Sequence, residues 1–159
     1  EPPHTVGAAL VPAKAASASP YETVTQSAAG KDLFYRYART SASGAMNISN
    51  QVAANEEFGF RLNNRVLYLQ LGAPNGQPNW QPLTDPDLLV VDDFTVAVDR
   101  QPLSLADLCL CPPNTPCPTL TVQRVDITLR AHAAADPALQ RTVQVSERLR
   151  VDEASGSCP

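Results

Sequence analysis

The chain has 159 residues, which at roughly 100 to 200 residues per domain leaves room for one domain with a core of its own. Charged residues make up 18% and prolines number 15, against a usual charged share of roughly 25% and half as many prolines, a composition that suits a loop-rich, mostly β extracytoplasmic protein. The formal net charge of -4 and the lack of any Lys/Arg cluster exclude the concentrated basic footprint that nucleic acid or an anionic membrane surface requires.

Residues 1–30, EPPHTVGAALVPAKAASASPYETVTQSAAG, are rich in Ala, Pro and Ser without a sustained period and read as an extended or partly disordered segment. The chain starts at Glu1 with neither a methionine nor a signal peptide, so a trimmed or mature fragment is expected and what preceded it stays open. No run of 18 apolar residues offers a bilayer span. Residues 31–159 are expected to form a single β-rich globular domain. Its first strand is predicted in DLFYRYA, which concentrates Leu, Phe and Tyr.

FGFRLNNRVLYLQLG, residues 58–72, reads as a hairpin with Asn63 and Asn64 as its two-residue loop, since Asn tolerates the positive φ such loops need. That loop sets Leu62 against Arg65, Phe60 against Leu67 and Phe58 against Leu69. Phe58, Phe60, Leu62, Leu67 and Leu69 then share one face, as a hairpin laid over a core requires.

GAPNGQPNWQPLTDPD is turn-rich, and LLVVDDFTVAVD after it reads as a strand with Phe94, Val96 and Val98 alternating. Asp92 and Asp93 mark a bulge or turn within it. In VQRVDITLRA, Val125, Ile127, Leu129 and Ala131 occupy one face and Arg124, Asp126, Thr128 and Arg130 the other, the pattern of a half-buried antiparallel strand. RTVQVSERLRV repeats the parity with Val143, Val145, Leu149 and Val151, interrupted by Glu147, and is expected to pair with it across a long hairpin. Asp136-Pro137 between them would open a short helical turn. The expected fold is mainly β, a twisted antiparallel sheet of five or six strands with few or no long helices. Such a sheet needs a cover for its open face and edges.

Cys109, Cys111, Cys117 and Cys158 allow three disulfide pairings. Their spacing fits no common zinc site and no histidine lies near them in sequence, so disulfides are the stronger reading. In one arrangement Cys111–Cys117 staples the CPPNTPC loop and Cys109–Cys158 pins the C-terminal tail. The other two pairings stay open.

Catalytic chemistry finds little support. His4 or His132 could enter a Ser/His/acid triad, but there is no G-x-S-x-G, no C-x-x-C and no glycine-rich phosphate loop. No enzyme activity, cofactor or metal is expected. Asp85, Asp87, Asp92 and Asp93 form the densest acidic patch and could offer oxygen ligands to calcium, though turn-forming and solvated aspartates account for them better. Trp80 and Tyr68 could stack on a sugar, yet a lone Trp after Pro-Asn more often anchors a loop to a sheet. Asn47-Ile48-Ser49 fits a glycosylation sequon by pattern alone.

The order FGFRLNNRVLYLQ, QPLTDPD, VVDDFTVAV and VQRVDITLRAHAAADPALQRTVQVSERLR, over about residues 32–151, resembles the soluble domains of PilW-like minor pilins of type IV pili. More distantly it resembles the J-type pseudopilins of type II secretion. The resemblance implies a non-enzymatic subunit whose hydrophobic N-terminal helix, with a glutamate near its start, is missing here. That helix would anchor a precursor in the inner membrane and later pack in the fibre core, with the periplasmic domain passing into the fibre. Other minor and major pilins would be the partners, and nucleic acid would not. The loop from Cys109 to Cys117 and the segment from Asn75 to Asp87, with Trp80, Tyr68, Asp85 and Asp87 as candidate surface residues, would contribute to assembly. The tail VDEASGSCP extends beyond the point where family chains often end. A secreted β-sandwich that binds carbohydrate is the alternative from another class.

Overall fold

The computed structural model describes residues 20–21, 24–39, 51–112, 117–149 and 152–156. His4, the sequon at Asn47 and Cys158 lie outside the described residues. The protein is mainly β, with its strands in two antiparallel sheets. The first runs in the order β1 (Thr25–Gln26), β2 (Asp32–Arg36), β3 (Glu57–Asn63), β4 (Val66–Leu71) and β5 (Trp80–Pro82). The second runs β6 (Leu89–Ser104), β7 (Thr119–Ala133) and β8 (Gln140–Arg148), with β9 (Glu153–Ser155) also paired to β7. A 3-10 turn at Pro74–Gly76 and a four-residue helix α1 (Ala106–Cys109) complete the described elements. Among the described residues nine strands therefore stand where five or six were expected. β1, β5 and β9 are two or three residues long, too short for alternation to register.

The β3–β4 hairpin differs from expectation in a way that can be explained. Its loop is Asn64-Arg65, with φ of 48° and 65°, and the pairs are Leu62 with Leu67, Phe60 with Leu69 and Phe58 with Leu71. Moving a two-residue loop by one position moves every partner by two, so each side chain keeps its face. The observed register sets Leu62 against Leu67 instead of Arg65 and brings Leu71 into the ladder. Cross-strand apolar contact outweighs the preference of Asn over Arg for positive φ.

Strand β6 solves a parity problem with a bulge. The pairing to β7 shifts between Val91 and Asp93, leaving Asp92 as the extra residue. Val91 is odd and Phe94 even, so an unbroken strand would send them to opposite faces. With the bulge, Val91, Phe94 and Val96 are all buried, at 0%, 3% and 4% exposure, and join Val125 and Ala131 of β7 in one core. Leu33 and Leu67 of the first sheet close that core, with Tyr35, Phe60 and Leu62 packed against it.

The two sheets meet along β6. Val96 N–H donates to Gly30 O at 2.8 Å and Val91 N–H to Arg65 O at 3.0 Å, and Val98 N–H donates to Gln26 Oε1 at 2.6 Å. Gly30 has φ of +64°, and a Cβ there would sit 3.0 Å from Val96 O, so this junction needs glycine for conformation and for space. Contacts from the first sheet fall on β6, and they leave β8 uncovered, with all nine of its residues exposed. As expected from the sequence, β8 pairs antiparallel with β7. The connection at Asp136-Pro137 is a hydrogen-bonded turn rather than a helical one: Leu139 N–H donates to Asp136 O at 2.9 Å and Ala138 N–H to Asp136 Oδ1 at 3.1 Å.

Candidate functional site

Trp80 sits on β5 beside β4, and Tyr68 faces Arg61 across the β3–β4 ladder. The Arg61 guanidinium lies 4.1 Å from the centre of the Trp80 ring and 5.6 Å from that of Tyr68. Phe34 meets Trp80 edge-on, with ring centroids 6.1 Å apart. Phe34 also lies over Gly59, where a Cβ would come within 2.8 Å of Leu33 O and 3.0 Å of the Phe34 ring. The structure brings Trp80 and Tyr68 together, but with Arg61 between them. The Trp80 face that a sugar would use is occupied by a guanidinium, a stacking that stabilises the sheet face itself.

The four aspartates do not converge. Asp85 and Asp87 are exposed, and Asp85 Oδ1 accepts from Asp87 N–H at 3.0 Å in an Asx turn. Asp93 pairs with Lys31. Asp92, the bulge residue, accepts from Arg65 Nη2 at 2.7 Å, from His132 Nδ1 at 2.7 Å and from Gln140 Nε2 at 3.4 Å. These donors, the His132 bond foremost and Arg65 next, hold the Asp92 carboxyl down at about 2. His132 thus acts as a structural partner that ties β7 to the bulge. Among the described residues no three His, Cys, Asp or Glu side chains converge as metal ligands.

Cys111 and Cys117 are disulfide-bonded, and Cys109 is disulfide-bonded as well; its proposed partner Cys158 lies outside the described residues. The staple sits at the end of the long β6–β7 hairpin, directly after α1. Leu108 and Leu110 project there at 80% and 85% exposure, and Leu110 takes the left-handed conformation at φ 49°. Two nearly bare leucines beside a covalently closed loop form a small apolar knob.

A second apolar surface runs along the inner face of β7 and β8, beside the core that the first sheet closes. Leu89, Leu129, Ala131, Leu139 and Val143 line a trough of about 250 Å³. Leu139 is 54% exposed, Val143 53% and Val145 43%. The parity of RTVQVSERLRV had placed those valines with the core face. What the sequence did not show is that the cover does not extend over β8.

Sequence reasoning missed Glu56. It is 1% exposed and accepts from Tyr21 Oη at 2.7 Å, Ala53 N–H at 2.7 Å and Arg39 N–H at 2.9 Å, joining three segments that are far apart in the chain. Its carboxylate raises the Tyr21 hydroxyl above its ordinary value, through the hydrogen bond first. No local signal separates it from Glu57 next to it.

The fold and surfaces define a class: a disulfide-stapled, two-sheet antiparallel β protein with apolar side chains exposed on β8 and beside the staple. Residues 8–149 match the family model of PpdB, prepilin peptidase-dependent protein B. The chain belongs to that family, which ties it to prepilin systems. No curated protein and no solved structure matches it.

Proposed function

We propose that this chain is the globular domain of a PilW-like minor pilin, a non-enzymatic subunit that packs against other minor and major pilins at the tip or base of a type IV pilus. Its precursor would be anchored in the inner membrane through a hydrophobic N-terminal helix, with this domain in the periplasm, and would then enter the fibre. The observation that carries the reading is the match of residues 8–149 to a family named for its dependence on prepilin peptidase. The uncovered apolar face of β7 and β8 supports it, because a long apolar helix would bury Leu129, Val143 and Val145 there. The Leu108–Leu110 knob offers a contact for a neighbouring subunit. A J-type pseudopilin of type II secretion shares this chemistry and differs in the machine it serves. The carbohydrate-binding reading is the weaker one, since Arg61 already covers Trp80.

The test is to express the full precursor in cells with and without prepilin peptidase. The expected result is a shortened product only where the peptidase is present, recovered with sheared fibres. A precursor processed identically in both strains overturns the proposal.

A further inference from the structure

We propose that the outer edge of β8 is a self-recognition site at which two copies of this chain pair antiparallel about a two-fold axis through Gln144. The argument begins with the direction of the main-chain groups. Leu149 N–H donates to Gln123 O at 2.9 Å and Leu139 O accepts from Ala133 N–H at 3.0 Å, and the β7–β8 register runs without a shift between them. Odd-numbered residues of β8 therefore turn their N–H and C=O groups toward β7. The even-numbered residues, from Gln140 to Arg148, turn theirs outward. Among the described residues no strand pairs with that edge. The opposite edge of the sheet is capped along β6 by Gly30, Gln26 and Arg65.

The occupant is fixed by side-chain complementarity. A two-fold axis at Gln144 sets Arg141 against Glu147 of the second copy and Val143 against its Val145, each pair occurring twice. Thr142 then meets Ser146, and Gln140 meets Arg148. Opposite charges and β-branched pairs across a ladder stabilise it, and like charges would oppose it. Keeping the outward main-chain groups in phase allows a shift of the axis by one residue either way. Both shifts set Arg141 or Glu147 against an apolar partner and lose the ion pairs. The strand thus encodes one register with its own copy, as an isologous interface requires. The edge lies in the plane of the sheet, so pairing leaves the apolar inner face free, and the inference does not depend on the pilin reading.

An edge pairing of this length belongs among the smaller interfaces, and a dissociation constant of about 10–100 μM is expected. The experiment is sedimentation velocity of the 159-residue chain from about 1 μM to 1 mM, the range over which such a dimer would form. Gln144→Pro removes an outward N–H without touching the β7 ladder, a placement proline tolerates. It should weaken the dimer at least about tenfold with unchanged circular dichroism. Glu147→Arg should weaken it about tenfold, and Arg141→Glu combined with Glu147→Arg should restore it. A chain that stays monomeric at the highest concentration overturns the proposal. So does a dimer indifferent to Gln144→Pro, or a charge swap that fails to restore pairing.

Discussion

His132 donates from Nδ1 to Oδ2 of Asp92 across 2.7 Å, joining the C-terminal end of β7 to the bulge in its partner strand β6. Arg65, from the turn of the other sheet, holds the second oxygen at 2.7 Å. One carboxylate therefore clasps both sheets at the point where β6 corrects its parity. The clasp has a pH dependence of definite sign. Asp92 is lowered from 3.8 to about 2, so its contribution is fully present above the ordinary carboxylate value and is lost as pH falls toward the folded value. Asp92→Asn should lower the melting temperature at neutral pH, and the gap from wild type should close as pH drops from about 4 toward 2. Equal melting temperatures at pH 7 would contradict the clasp.

Arg61 stacked on the sole tryptophan gives a spectroscopic handle. Arg61→Ala should cost about 1 kcal/mol through the lost cation–π contact and shift Trp80 emission to the red. A variant with unaltered emission and denaturant midpoint would mean that the stacking carries no energy.

Glu56→Ala leaves Tyr21 Oη and two main-chain N–H groups without this carboxylate. Losing three hydrogen bonds to a buried carboxylate in this way should cost about 3 kcal/mol in urea unfolding. Tyr21→Phe removes one of the three bonds to the carboxylate, together with the hydroxyl's contact to Gln51 O, and should cost less. Equal losses in the two variants would place the effect elsewhere than the carboxylate.

Leu108 and Leu110 are nearly bare, so replacing both by Ser should leave the melting temperature within about 1 °C, as expected for surface positions away from the core. If the knob is an assembly contact, the same double variant should reduce recovery of the subunit in sheared fibres. Normal recovery would remove the knob from the assembly surface.

The fold class was legible because apolar parity is strong in the long strands. Val125, Ile127, Leu129 and Ala131 announce β7, and Phe58, Phe60 and Leu62 keep their shared face even though the loop moved by one residue. The division into two sheets was hidden, because it depends on where β6 crosses the first sheet, and the glycine that permits the crossing, Gly30, lies in a stretch without periodicity. The Asp92 bulge was visible as a break between Val91 and Phe94. Its partners were not, since His132 and Arg65 are brought to it by tertiary structure from distant positions. A loop anchor was one of the alternatives for Trp80, which instead stands on strand β5, and Arg61 as its partner follows only from β3 lying beside β4.

The central claim is that this domain belongs to a prepilin, and the sequence of the intact precursor upstream of Glu1 tests it most directly. The account predicts a short basic leader, a prepilin cleavage junction and about 20 apolar residues with an early glutamate, enough to span a bilayer. An ordinary secretory signal directly before Glu1, with no retained apolar helix, would contradict it.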